Sequence, residues 1–123
     1  MIRHFDSFEV GEQAEFTHII SQDDIDRFVA ITGDDNPVHV DERFAAQTSF
    51  KSPIAHGMLS ASFISTMVGK YLPGEGALWL SQNLQFQHPV RVGDELTVRA
   101  EILKKQKRQQ VLTLKTEVVN QFG

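Results

Sequence analysis

The stretch that decides the fold is Ser52–Gly74, SPIAHGMLSASFISTMVGKYLPG. It carries the longest apolar periodicity in the chain, with Met58, Leu59, Phe63, Ile64, Met67 and Val68 on one broad face at helical spacing. A face that wide predicts a helix buried on most sides, ended by Pro73-Gly74. What surrounds it is read from the sequence on either side.

Toward the N-terminus, AEFTHII (Ala14 to Ile20) alternates around Phe16, His18 and Ile20 and follows the turn-forming Gly11, the pattern of a first strand. SQDDIDRFVAITG then reads as a helix. Ser21 caps it, Asp24 stands three residues on, Ile25, Phe28 and Val29 repeat at helical spacing, and Gly33 closes it. Asn36-Pro37 imposes an extended or turn conformation before Val38, and Asp41 is placed to cap a short helix through ERFAAQ.

Toward the C-terminus the period changes to two. ALWLSQNLQFQHPV alternates through Leu78, Leu80, Leu84 and Phe86, which predicts a strand with Trp79 and Phe86 in the core; Pro89 and VGDE make a turn. ELTVRAEILKKQKR and QQVLTLKTEVVNQFG alternate again, with a hairpin loop at 105–109. One strand, then helices, then three long strands predicts the α+β class: an antiparallel sheet with a helix against one face. No internal repeat or linker interrupts the chain, and 1–123 reads as one domain.

A chain of 123 residues buries roughly two-thirds of its unfolded surface, so its core is modest and oligomerisation is a common way to bury more. Sixteen acids against twelve bases give a net charge of −4, which argues against a duplex nucleic-acid partner. With no cysteine, disulfides, thiolate metal sites and a thiol nucleophile are excluded, leaving His, Asp, Glu, Ser and Tyr for any chemistry. The N-terminus has no apolar core of a secretory signal and no apolar run reaches membrane-spanning length, so the expected location is the cytoplasm, with no membrane partner.

The chemistry concentrates in GDDNPVHVDE, Gly33 to Glu42. Turn statistics alone account for Asp, Asn and Pro in a helix-to-helix connection. A calcium loop fails because His39 stands where the sixth-position glycine belongs, counting from Asp34. A metal held by His39, His56 and a nearby Asp is chemically possible but lacks the short helical His spacing of known motifs. The remaining reading is an acid/base pair, Asp34 and His39, turned by Asn-Pro into one cleft to hold a water and exchange its protons near neutral pH.

Two spaced motifs go further. ITGDDNPVHVDERFAAQTSFKSPIAHGMLSASFIS contains Asp-x-Asn-Pro-x-His followed by Pro-Ile-x-His-Gly-Met, and LPGEGALWLSQNLQFQHPVRVGDELT continues the likeness. From about Phe8 onward the chain resembles the MaoC-like, (R)-specific enoyl-CoA hydratase family. The resemblance implies the hot-dog fold, a curved antiparallel sheet wrapped around a long central helix (HGMLSASFISTMVGKYL), with a helical overhang from Ser21 to Phe50 that carries the site. It also implies a homodimer, with an acyl-CoA thioester as the small-molecule partner.

The activity implied is reversible syn hydration of a trans-2-enoyl-CoA to an (R)-3-hydroxyacyl-CoA. Asp34 and His39 match the catalytic pair, and Gly57 matches the glycine whose N–H meets the thioester oxygen. Asn36, Ser65 and His56 match supporting positions, with plain structural roles as their alternatives: a turn, a packing serine, a helix start. No cofactor and no metal are expected, since hydration involves no redox step and no GxGxxG fingerprint is present. His4, His18 and His88 read as structural, KKQKR (Lys104 to Arg108) as a solvated hairpin end or a contact for coenzyme A phosphates, and Tyr71 as packing or tunnel lining.

Family members usually continue past a stretch like VVNQFG through a turn into a last strand, so the resemblance implies either that the sequence is truncated or that the missing strand is supplied otherwise; a protein ending here would expose an unpaired edge. A thioesterase of the same fold and a non-catalytic acyl-CoA-binding module are the alternatives. The Asp34, Asn36, His39 and Gly57 set speaks against the second, because binding alone demands no acid/base pair.

Overall fold

The computed structural model describes residues 2–123. Period-two alternation produces a three-stranded antiparallel sheet in the order β1 (Gln13–Ile19), β2 (Glu95–Gln106), β3 (Val111–Val119). Phe16 lies opposite Val98 and Val98 opposite Val118, so one face of all three strands is apolar. On β2 every second residue of that face, Leu96, Val98, Ala100 and Ile102, is buried. The other face is polar: Arg99 sits between Glu15 and Glu117 at 3.2 and 3.6 Å, pairs of little energetic weight in solvent.

Between β1 and β2 run four helices, α1 (Gln22–Thr32), α2 (Pro37–Val40), α3 (Glu42–Ala46) and α4 (Gly57–Thr66), the last continuing as a π-helical turn over Met67–Tyr71. The apolar face of α4 lies against the sheet. One buried cluster joins Phe8, Met67 and Leu72 to Val98, Ala100 and Ile102; a second joins Ile20, Ile25, Ala55 and Leu59 to Leu96. Phe63 and Val118 pack against both, which makes the core continuous along the helix. Each fully buried Leu, Ile or Met contributes about 1.5–3 kcal/mol.

The helical caps form as the sequence predicts. Ser21 Oγ accepts from Asp24 N at 3.1 Å while Ser21 N donates to Asp24 Oδ2 at 2.9 Å, closing both halves of a capping box. Gly33 ends α1 in the left-handed region at φ 77°, where a side chain would be strained. Asp41 Oδ1 accepts from Arg43 N and Phe44 N to start α3. At Asn36-Pro37 the residue before the proline keeps the expected non-helical backbone, with ψ 126°; Asn36 caps α2 through Val38 N at 3.2 Å, and Pro37 takes the first helical position, where its missing N–H has no cost.

The segment 77–90 departs from expectation. It forms no ladder, and Leu78 (86%), Phe86 (59%) and Trp79 (44%) are exposed, so Trp79 and Phe86 are not core residues. Alternation decides which way side chains face, but a strand also needs a hydrogen-bonding neighbour, and among the described residues the sheet ends at β3. Residues of both β3 and 77–90 line one groove of about 1480 Å³. Among the described residues no helix is long and apolar enough to cross a membrane.

Candidate active site

Helix α2 is a single turn, too short to hold itself. It is clamped by Ile54, whose N–H donates to Val38 O at 3.2 Å and whose carbonyl accepts from His39 Nδ1 at 2.7 Å. A carbonyl only accepts, so Nδ1 carries the proton of the neutral ring and Nε2 keeps its lone pair. The main chain of Ile54 thereby makes His39 a base at a defined atom.

Asp34 follows the Gly33 cap. Its N–H donates to Thr32 Oγ1 and its Oδ1 accepts from Asn36 N, both at 3.2 Å. Its carbonyl accepts from His56 Nε2 at 2.9 Å. The side chain is exposed, and among the described residues Oδ2 has no protein partner. One carboxylate oxygen is thus anchored and the other is free for a solvent molecule or substrate.

His56 is 2% exposed and lies behind this pair. Its ring stacks on His39 with centroids 3.9 Å apart and planes at 28°, and packs against Phe28 at 4.6 Å. Donor groups of Asp34, His39 and His56 all lie within 4.8 Å of one another. One nitrogen of each ring meets a main-chain carbonyl, which leaves one lone-pair nitrogen on each neutral ring.

His56 is at the same time the N-cap of α4, and its side chain makes no capping hydrogen bond. The first N–H groups of α4, beginning with Gly57, have no intrahelical acceptor, and the helix dipole favours negative charge there. A Cβ on Gly57 would stand 3.0 Å from two carbons of the Phe86 ring, so only glycine lets that ring lie against the helix start. Ser65 is eight residues further on, about 12 Å along the axis. It is exposed and has no hydrogen bond to Asp34 or His39.

The structure therefore brings together Asp34, His39 and His56 beside Gly57, places Asn36 as the cap beneath them, and leaves Ser65 apart. Thr32 and Ile54 join the site without having been expected. A threonine two residues before an acid is a legible turn signal; a carbonyl of Ile54 has none, because main-chain acceptors carry no side-chain identity.

Elsewhere, His18 Nε2 donates to Asp24 Oδ2 at 2.8 Å and the ring packs on Phe63, a structural role. Tyr71 stacks on Phe16 at 4.8 Å. Of KKQKR, Lys105 reaches Phe8 O and the Phe5 ring, while Lys104, Lys107 and Arg108 are exposed at the hairpin end.

The family model described as MaoC like domain matches residues 7–121. The chain belongs to the MaoC-like domain family. This MaoC-like domain is 41% identical over 117 residues to the (R)-specific enoyl-CoA hydratase of Aeromonas caviae, covering 95% of the chain and 87% of that relative. It is 45% identical to the 3-hydroxybutyryl-CoA dehydratase of Methylorubrum extorquens, covering 82% of the chain and 64% of that relative. Among solved structures, the (R)-hydratase from A. caviae involved in PHA biosynthesis superposes with a TM-score of 0.91, covering 95% of the domain and 89% of that chain at 41% identity. The R-hydratase PhaJ1 from Pseudomonas aeruginosa in the unliganded form gives 0.90 at 44% identity, covering 97% and 76%. The sheet and buried helix of the domain are those of the hot-dog fold.

Proposed function

We propose that this domain is an (R)-specific enoyl-CoA hydratase, a hydro-lyase that adds water reversibly to a trans-2-enoyl-CoA. The observation that carries the reading is the hydrogen bond of His39 Nδ1 to Ile54 O, which in the neutral ring leaves Nε2 as the basic nitrogen, on a ring that has a nitrogen within 4.8 Å of a carboxylate oxygen of Asp34. Relatives of 41–45% identity named as (R)-specific enoyl-CoA hydratase or 3-hydroxybutyryl-CoA dehydratase support the same chemistry.

Asp34 and His39 together hold one water. As its oxygen bonds to C3, one proton passes to His39 Nε2, and the C2–C3 π electrons move toward the thioester carbonyl. The Gly57 N–H stabilises the negative charge developing on that oxygen; such a donor is worth about 3 kcal/mol of barrier. The proton then reaches C2 on the same face, giving an (R)-3-hydroxyacyl-CoA with atoms balanced and no electron donor or acceptor consumed. Accordingly we propose no cofactor and no metal. Asn36 serves by capping the turn that presents Asp34 and His39. A homodimer in the cytoplasm, binding neither nucleic acid nor membrane, is part of the same proposal.

Crotonyl-CoA tests it, with enoyl absorbance and free thiol followed together. Loss of absorbance without thiol is the expected result. Thiol release would make the domain a thioesterase, and no change in either would make it an acyl-CoA binder.

A further inference from the structure

The geometry points to His56 as the positioning residue that sets Asp34 and His39 relative to each other, through a hydrogen bond to the main chain of one and a ring stack on the other. This deepens the hydratase reading and rests on it. Asp34 and His39 sit on separate turns, before and within α2, and no hydrogen bond joins their side chains among the described residues. His56 touches both: its Nε2–H meets Asp34 O at 2.9 Å across 22 residues of sequence, and its ring lies 3.9 Å from that of His39. Because Asp34 O can only accept, Nε2 carries the proton of His56.

Nδ1 is then a lone-pair nitrogen, buried and without a hydrogen-bond partner among the described residues. A buried acceptor left unpaired is costly, and the fold retains it. As an N-cap, His56 contributes no side-chain hydrogen bond to α4, so starting that helix does not explain the side chain. Its side-chain hydrogen bond and the shorter of its two ring contacts both run to the proposed acid/base pair. The ring packs on Phe28 at 4.6 Å and is 2% exposed, so it forms a buried wall behind the pair.

Two variants separate the contacts. His56→Phe keeps a flat ring against His39 but removes the donor to Asp34 O; His56→Gln keeps an N–H near the Nε2 position but removes the ring. With crotonyl-CoA, His56→Phe is expected to lose about 10- to 100-fold in kcat, the cost of misplacing a reacting group, with KM within about twofold. His56→Gln is expected to recover most of that loss. Wild-type kcat in His56→Phe, or equal losses in both variants that track a fall in melting temperature, would overturn the assignment.

Nitrogen-15 NMR of the unmodified protein gives a reading independent of how the variants fold. His56 is expected as the Nε2–H tautomer and His39 as the Nδ1–H tautomer; the opposite tautomer at His56 would also overturn it. Asp34→Asn and His39→Gln run alongside. If these two turn over like wild type, the acid/base reading itself falls; if they are inactive while His56→Phe is unaffected, only the positioning role falls.

Discussion

Asp34 and His39 are presented by short-range devices: the Gly33 cap, the Thr32 turn and the Asn36 cap. Asp34→Asn and His39→Gln should each lower kcat at least about 100-fold, the contribution of a positioned acid or base, with circular dichroism unchanged because neither side chain is part of the core. At Gly57 the expectation concerns space. Gly57→Ala places a methyl 3.0 Å from the Phe86 ring, which must move, and kcat/KM for crotonyl-CoA should fall about tenfold. Adding Phe86→Ala removes the obstacle and should restore part of the activity; no recovery in the double variant would mean that the helix start itself, not the ring, is disturbed. Asp34 and His39 stood out as a candidate pair from their spacing and Gly57 from the family resemblance, whereas the main-chain contacts Ile54 O–His39 Nδ1 and Asp34 O–His56 Nε2 had no sequence signal.

At the scale of elements, the joint between β1 and α1 has a pH dependence. Burial pushes the Asp24 carboxyl up, but the Ser21 N–H, His18 and the Ser21 hydroxyl together outweigh it and hold Asp24 below the usual aspartate range. Stability from a depressed carboxylate is complete above its unfolded pKa, roughly 4, and is lost as pH falls through the lower folded value. The stability gap between wild type and Asp24→Asn, read from urea midpoints, should therefore be widest near neutral pH and shrink on approaching about pH 3. Ser21→Ala should cost about 1 kcal/mol by the same measurement. In the π-helical turn after α4, Met67 is fully buried between Phe8, Val98 and Ile102, and Met67→Ala should cost about 2–5 kcal/mol. The caps and the buried helix were readable because each is decided within a few residues. The ladder expected at 77–90 was not, because pairing depends on a neighbour distant in sequence.

For the whole molecule, the edge of β3 and the exposed apolar residues Leu78, Leu80 and Phe86 belong to one groove. Apolar surface of that kind, beside unpaired strand groups, favours association. Sedimentation velocity should show a concentration-dependent shift to a larger species, and Leu78→Lys with Leu80→Lys should reduce it; a monomer at every concentration would contradict the proposed dimer. Activity measured across the same dilution series shows whether association matters to turnover.

The amino-acid sequence by itself determined what short-range physics controls: the capping box at Ser21, the Gly33 stop and the buried face of α4. Only the tertiary structure decided which nitrogen of His39 bonds the main chain, that His56 touches both members of the pair, and that 77–90 pairs with no strand among the described residues. For the two histidines the reason is the same. Each meets a main-chain group brought near by folding, 15 residues away for His39 and 22 for His56, and the main chain is the same at every position of a sequence.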